Sequence, residues 1–362
     1  MATYLTSNIF SDINISGNCT IQGTMSSGNP FTFKNALYNG DFRIAQRGTS
    51  FTNPSVVYTL DRWYISTYGA VGNGTVSQIQ SGLANFSNAF QLATTSTTNG
   101  NWYISQSLET RDVVRFQGQP VTVSFWYKIP TSFTSAWSPT LFWTTSVDTA
   151  ITNAVSGSPN TAGSGNMPNT TAWTYTQFQA FVPSTAQALS VMFTTYNNTV
   201  NGATLQITGV QLEKGSVATP YEILPYATEL ALCQRYYYRL TAGSSNQNIS
   251  TGIGVSSSNI HRFQITTPVL MRTSNPMTIF TPSGSASFPS SSLSLTSSEL
   301  YIYNGGPPYV VAVLSASDWS STNTQIISFQ AQTQAASTAT PGLGQLFFLN
   351  YSGSYLALSA EL

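Results

Sequence analysis

The sequence predicts an all-β protein: two β-sandwich, jelly-roll-like domains in tandem behind a short N-terminal attachment segment. Three observations carry this. Only 7% of the 362 residues are charged, so solubility falls to Ser, Thr, Asn, Gln and Gly. Aromatic residues reach 13%, which excludes a disordered chain, because disordered segments are poor in them. Apolar residues also alternate with period 2 along many short runs separated by turn-forming residues, and no long helical period interrupts them. Thr, Tyr, Phe and Val suit pleated strands, while Asn, Gly and Ser suit the turns between them. The length exceeds one small core and fits two β-rich domains.

Charge excludes several partners. Twelve Lys and Arg balance twelve Asp and Glu, so the formal net charge is zero. Nucleic acid is not expected as a partner, since no basic stripe exists to neutralise phosphates. The Lys/Arg-rich face that anionic membranes attract is also missing, and no run of 18 apolar residues predicts a membrane span. The opening MATYLTSNIFSD has no basic region followed by an apolar core, so no signal peptide is expected.

Residues 1–35 form the attachment and oligomerisation segment. In NISGNCTIQGTM, Ile15, Cys19 and Ile21 alternate loosely with polar residues, and Gly17 and Gly23 stand six apart. Such spacing suits either an intertwined fibre shaft or an ordinary N-terminal hairpin. Residues 36–225 form the first sandwich, with strands predicted over 121–129, 174–182, 188–196 and 204–215. In VTVSFWYKI, Val121, Val123, Phe125 and Tyr127 share one face; Thr122, Ser124, Trp126 and Lys128 share the other. Residues 226–240 read as a linker with one or two helical turns from a Thr228 cap, passing into a strand at Tyr236–Leu240. Residues 241–362 form the second sandwich, with strands over 261–269, 276–283, 300–305, 309–317, 324–333 and 344–352, and a last strand in LALSAEL. The cysteines, Cys19 and Cys233, form no CxxC pair, and buried free thiols are favoured over a disulfide.

Two segments carry a family resemblance. LYNGDFRIAQRGTSF (37–51), with YTLDRWYI (58–65), resembles the opening of jelly-roll domains in phage tail, prophage and large-virus appendage proteins. GVQLEKGSVATPYEILPYATELALCQRYYYR (209–239) resembles their closing segment. That first domain is in turn similar to carbohydrate-binding-module jelly rolls, in which a VSFWYK-type strand crosses the sandwich. The resemblance implies a virion-surface location and a sugar-binding ancestry. It covers about 37–239, and residues 241–362 resemble no named family, as a variable distal, receptor-facing domain would; by analogy the chain is a homo-oligomer, expected to be a trimer, that contacts other capsid or tail proteins through residues 1–35 and has host-surface glycans as a candidate partner.

Chemistry has little to draw on. The carboxylate pairs Glu109/Asp112 and Glu213/Glu222 lie beside arginines and read as ion-paired scaffold rather than a hydrolytic dyad. Arg43, Arg47 and Arg62 are expected to pair with Asp41, Asp61 or Glu213 and so join the two ends of the jelly roll. One histidine, His261, supports neither a metal cluster nor a triad. No cofactor or metal is expected, and no catalysis; the alternatives to a structural surface role are a carbohydrate-binding receptor-binding protein proper and, less favoured, a polysaccharide depolymerase acting through those carboxylates. Binding rests on aromatic rings, which stack on the apolar faces of sugars while amides and arginines bind their hydroxyls. The candidate glycan platforms are Trp102, Trp126, Trp143 and Trp319, with Trp126 placed on the outward face of its strand.

Overall fold

The computed structural model describes residues 33–69, 73–95, 100–129, 137–153, 159–195, 202–242, 247–254, 260–273, 277–281, 284–288, 293–294, 300–303, 309–315, 326–333, 344–349 and 355–362. Nearly all of the attachment segment expected over 1–35 lies outside these residues, as do Cys19 and Trp319.

The protein is all-β with sandwich domains. The first part of the chain supplies β1 (Ser50–Thr52), β2 (Val57–Tyr58), β3 (Tyr64–Tyr68), β4 (Gly74–Leu83), β5 (Phe86–Thr94) and β6 (Asn101–Leu108). After α1 (Thr110–Val113) come β7 (Gln119–Ile129), β8 (Trp137–Thr144), β9 (Asn160–Ser164), β10 (Thr170–Val182), β11 (Ala188–Thr195) and β12 (Thr204–Lys214). They build two six-stranded sheets, ordered β1-β4-β5-β12-β7-β10 and β2-β3-β6-β11-β8-β9. The period-2 pattern explains their packing. Val121, Val123, Phe125 and Tyr127 of β7 are buried between the sheets with Leu189, Val191 and Phe193 of β11. Thr122, Ser124 and Trp126 take the opposite face of β7.

One irregularity shapes that outer face. The register of β12 on β7 shifts between Thr208 and Gln211, where Gly209 has φ +63°. The bulge turns both Ile207 and Val210 into the core, and glycine is required there for two reasons. A left-handed backbone strains other residues, and a Cβ at 209 would lie 2.6 Å from the Phe86 ring.

The segment joining the two halves is more than a linker. Helix α2 spans Tyr226–Gln234 and starts directly after Pro225, so Thr228 is not its cap. Proline fits a helix start because its φ is preset and its missing N–H would have no helical acceptor. On α2, Glu229 and Cys233 are buried, and Cys233 is a free thiol. Burial pushes that thiol well above its ordinary pKa, so it stays protonated.

The second part contains β13 (Tyr237–Thr241), β14 (Gln247–Gly254), β15 (Ile260–Thr266), β16 (Met277–Thr281), β17 (Gly284–Phe288) and β18 (Leu293–Ser294). It continues with β19 (Leu300–Tyr303), β20 (Tyr309–Ser315), β21 (Ile326–Thr333), β22 (Gly344–Leu349) and β23 (Tyr355–Ser359). A four-stranded sheet runs β13-β23-β16-β17, and a seven-stranded one runs β18-β20-β19-β22-β14-β15-β21. An added β20–β21 pairing closes the larger sheet back on itself, so that β21 pairs with β20 as well as with β15 rather than ending the sheet. Its core gathers Phe263, Ile265, Val311, Leu314, Phe347 and Leu358.

Charges sit where the two parts meet. Arg43 pairs with Asp41 and Glu229, each at 3.2 Å. Arg47 reaches Glu361 at 3.1 Å and Asp61 at 4.0 Å. Arg62 pairs with Glu361 as well. The expected arginine partner Glu213 takes a different role. Its carboxylate accepts from the Thr219 N–H and hydroxyl and from Gln211, which ties the chain after β12 across the outer face of the sheet.

Candidate functional site

Four tryptophans were expected to offer platforms, and the structure separates them. Trp102 is 1% exposed and belongs to the core, with its ring against Gly74, so it presents no face to a ligand. Its strand alternates, and residue 102 falls on the inward side with Ile104. Trp143 is half-buried and packs against the same core from β8, between β11 and β9, so it too serves packing. Trp319 lies outside the described residues. Of the three that are described, Trp126 alone stands on an outward face and lines an open groove.

That groove, about 440 Å³, lies on the outer face of the β1–β10 sheet. Such a volume suits a small ligand. Tyr175 of β10 is the direct cross-strand partner of Trp126, and their ring centres lie 5.5 Å apart at 54°. Tyr175 is 43% exposed. At the other side, Phe86 and Tyr221 meet edge-on at 5.2 Å. Gly209 admits the Phe86 ring onto the strand backbone, so the bulge described above forms the groove floor. Asn85, Ser124 and Thr219 add polar groups among the aromatic ones. The tip of the β4–β5 hairpin is held from across the sheet, where the Trp173 indole N–H donates to the Ser81 carbonyl at 2.8 Å. Burial, then the Asp41 and Glu229 carboxylates, push the Tyr221 hydroxyl well above its ordinary pKa, so it stays a neutral donor.

The outer face of the opposite sheet is closed. Tyr103, Phe142 and Met192 on that face are buried under Ile151. Backbone and hydroxyls fasten this cover: the Ser107 and Ser190 hydroxyls donate to the Ile151 carbonyl at 3.3 and 3.1 Å, and the Ile151 N–H donates to Ser107 at 3.0 Å.

The carboxylates expected to be scaffold are engaged. Glu109 pairs with Arg235 at 3.0 Å and Arg111 at 3.2 Å, and it also accepts from the Tyr236 hydroxyl. Asp112 pairs with Arg111 at 3.6 Å. Glu222 accepts from the backbone N–H groups of Phe33 and Asn35. His261 is fully buried on β15. Among the described residues, no group of three or more His, Cys, Asp and Glu is placed to hold a metal.

Sequence reasoning missed Tyr175, Phe86 and Tyr221. Tyr175 was within reach, because it alternates in register within its own strand run and faces outward when Phe178 and Ala180 face in. Phe86 and Tyr221 carry no such signal, since a hairpin tip and a crossing segment bring them together.

No family model matches the sequence, and no curated protein matches it. Among solved structures, the bacteriophage CBA120 tailspike protein 4 enzymatically active domain is similar at 16% identity and a TM-score of 0.34. That match covers 50% of this chain and 22% of that one. The C-terminal family 22 carbohydrate-binding module of Clostridium thermocellum Xyn10B is similar at 14% identity and a TM-score of 0.30, covering 49% of this chain and all of that one. TmCBM61 in complex with β-1,4-galactotriose is similar at 12% identity and a TM-score of 0.30, covering 50% and 99%.

Proposed function

We propose that this chain is a non-enzymatic surface component of a virus particle that holds a neutral glycan in the Trp126–Tyr175 groove. The observation that carries the glycan reading is the groove itself: an open aromatic trough with amide and hydroxyl groups between its rings. Sugar rings offer apolar C–H faces to such aromatics and hydroxyls to such polar groups. The surface location draws on the resemblance of residues 37–51 and 209–239 to virion appendage proteins and on the uncharged, hydroxyl-rich composition. In this reading the chain forms a homotrimer, residues 1–35 attach it to capsid or tail proteins, and residues 241–362 face the host.

Glycan-array binding by the full-length protein tests the groove. Binding is expected to fall in both Trp126→Ala and Tyr175→Ala while the melting temperature holds. Binding that survives both changes, or a flat array with the unaltered protein, overturns the glycan reading. Sedimentation equilibrium tests the assembly, and a monomer at micromolar concentration overturns the trimer.

A further inference from the structure

A second cavity, about 610 Å³, opens where the two parts of the chain meet. Its chemistry differs from that of the groove. Three of the chain's twelve cationic side chains, Arg47, Arg239 and Arg272, line it together with tyrosines, a single acidic side chain, Glu361, and the main chain of Leu362. In a protein this poor in charge, such a concentration of guanidinium groups in one cavity marks the place.

The three arginines are held unequally. Arg47 is spent on structure, since it pairs with Glu361 and Asp61 and lies over the Tyr237 ring at 3.7 Å. Arg239 lies over the Tyr355 ring at 4.0 Å. Its Nε donates to the Thr241 hydroxyl at 3.0 Å, and its Nη1 to the Gln46 and Arg47 carbonyls at 3.3 and 3.4 Å. Arg272 donates from Nε to the Ala360 carbonyl at 2.5 Å and from Nη2 to the Glu361 carbonyl at 2.8 Å. Neither Arg239 nor Arg272 pairs with a carboxylate among the described residues. Each therefore has no ion-pair partner among those residues, and one terminal nitrogen, Nη2 of Arg239 and Nη1 of Arg272, makes no hydrogen bond to them. Both guanidinium groups are also fixed in orientation, Arg239 by its ring and three acceptors and Arg272 by two carbonyls. A pre-oriented guanidinium binds a carboxylate at little entropic cost. Tyr58, Tyr64 and Phe280 supply flat apolar faces beside the charges.

We propose that this cavity is a second binding site, specific for an acidic saccharide, whose ring carboxylate is held by Arg239 and Arg272 and whose apolar face lies on the tyrosines. It is independent of the groove at Trp126, and either site can fail without the other. Since its walls come from both β1–β3 and β13, β16 and β23, occupation would also clamp the two parts together.

Titration of the full-length protein followed by NMR decides the matter, with the methyl glycosides of glucuronic acid, N-acetylneuraminic acid and glucose as probes. One or both acidic glycosides are expected to bind at least tenfold more tightly than the glucoside. That preference should fall at least tenfold in Arg239→Gln and remain in Trp126→Ala. Because Arg272 also fastens the C-terminal segment, Val57→Trp at the exposed rim serves as the second variant, blocking the cavity without touching any guanidinium. Equal binding of acidic and neutral glycosides, no acidic binding at millimolar concentration, or a preference unchanged in both Arg239→Gln and Val57→Trp overturns the proposal. Competition by sodium acetate as strong as by the glycosides would also overturn it, reducing the site to a simple anion contact.

Discussion

The Arg62 guanidinium and the Glu361 carboxylate, 299 positions apart in the chain, form a largely buried ion pair, their side chains 2% and 5% exposed. Arg62 also donates to the Ser107 carbonyl at 2.8 Å and lies 3.5 Å over the Tyr236 ring. It thus joins the first sandwich, the chain leaving α2, and the C-terminal end. Removing one partner of such a pair strands a buried charge, which costs about 3–5 kcal/mol. Glu361→Gln is expected to lower unfolding stability in urea by roughly that amount, because it deprives both Arg62 and Arg47 of a partner. A double-mutant cycle with Arg62→Met should show non-additivity of at least about 1 kcal/mol. Strict additivity would deny the coupling.

Gly209 is expected to resist even the smallest substitution. Gly209→Ala meets the Phe86 ring at 2.6 Å on a left-handed backbone, and the cost is about 2–4 kcal/mol. Adding Phe86→Ala should relieve the steric part and leave the backbone part. Chemical denaturation of the single and double variants checks this, and a neutral Gly209→Ala would show that the bulge is not required.

Trp126 and Tyr175 are expected to contribute to glycan binding more than to stability. Each single alanine change is expected to weaken glycan affinity on the order of tenfold, as removal of a stacking aromatic does, while shifting the melting temperature little. Isothermal titration with a glycan taken from the array gives the affinity. A large loss of stability with unchanged affinity would reassign the pair to packing.

Acidity should act through Asp41. Burial first, then the Glu229 carboxylate, push its carboxyl up to about 6 against the pull of Arg43. An unfolded aspartate titrates near about 3.9. The folded protein therefore holds this proton more tightly, and its stabilising contribution is complete below about pH 4 and lost as pH rises through about 6. Asp41→Asn cannot lose it. Its stability relative to the natural protein is expected to rise between pH 4 and 7, on the order of 2–3 kcal/mol, measured by urea unfolding at each pH. A pH-independent difference would place the titration elsewhere.

Local pattern made much of this fold legible. The strand containing Val121–Ile129 shows its inward and outward faces by alternation alone, and Trp126 was placed correctly because period 2 admits one answer once Phe125 is buried. The second half read as strands in the same way, from Ile260–Thr266 to Gly344–Leu349. Where alternation failed, contacts distant in sequence had decided. Alternation sets Trp102 and Ile104 on one face and Tyr103 on the other, both faces apolar enough to be core, and only the opposing sheet decides that the Trp102 face packs between the sheets. The start of α2 depended on Pro225 rather than on the capping residue at 228, a choice between two valid local signals.

By itself the sequence determined the all-β class, several of the strands, the two faces of the one at 121–129, and the scarcity of charged residues, since these follow from residue type and spacing of near neighbours. Tertiary structure alone decided the two candidate sites. The groove needs the β4–β5 hairpin tip, the Gly209 bulge and the 218–223 segment to converge on Trp126. The arginine cavity needs Arg47, Arg239 and Arg272 brought from three distant stretches around Glu361, which local sequence pattern gave no reason to single out. The physical reason is one of range: alternation is set by adjacent backbone geometry, whereas a site is assembled by sheet pairing and by charges that find each other only in the folded chain.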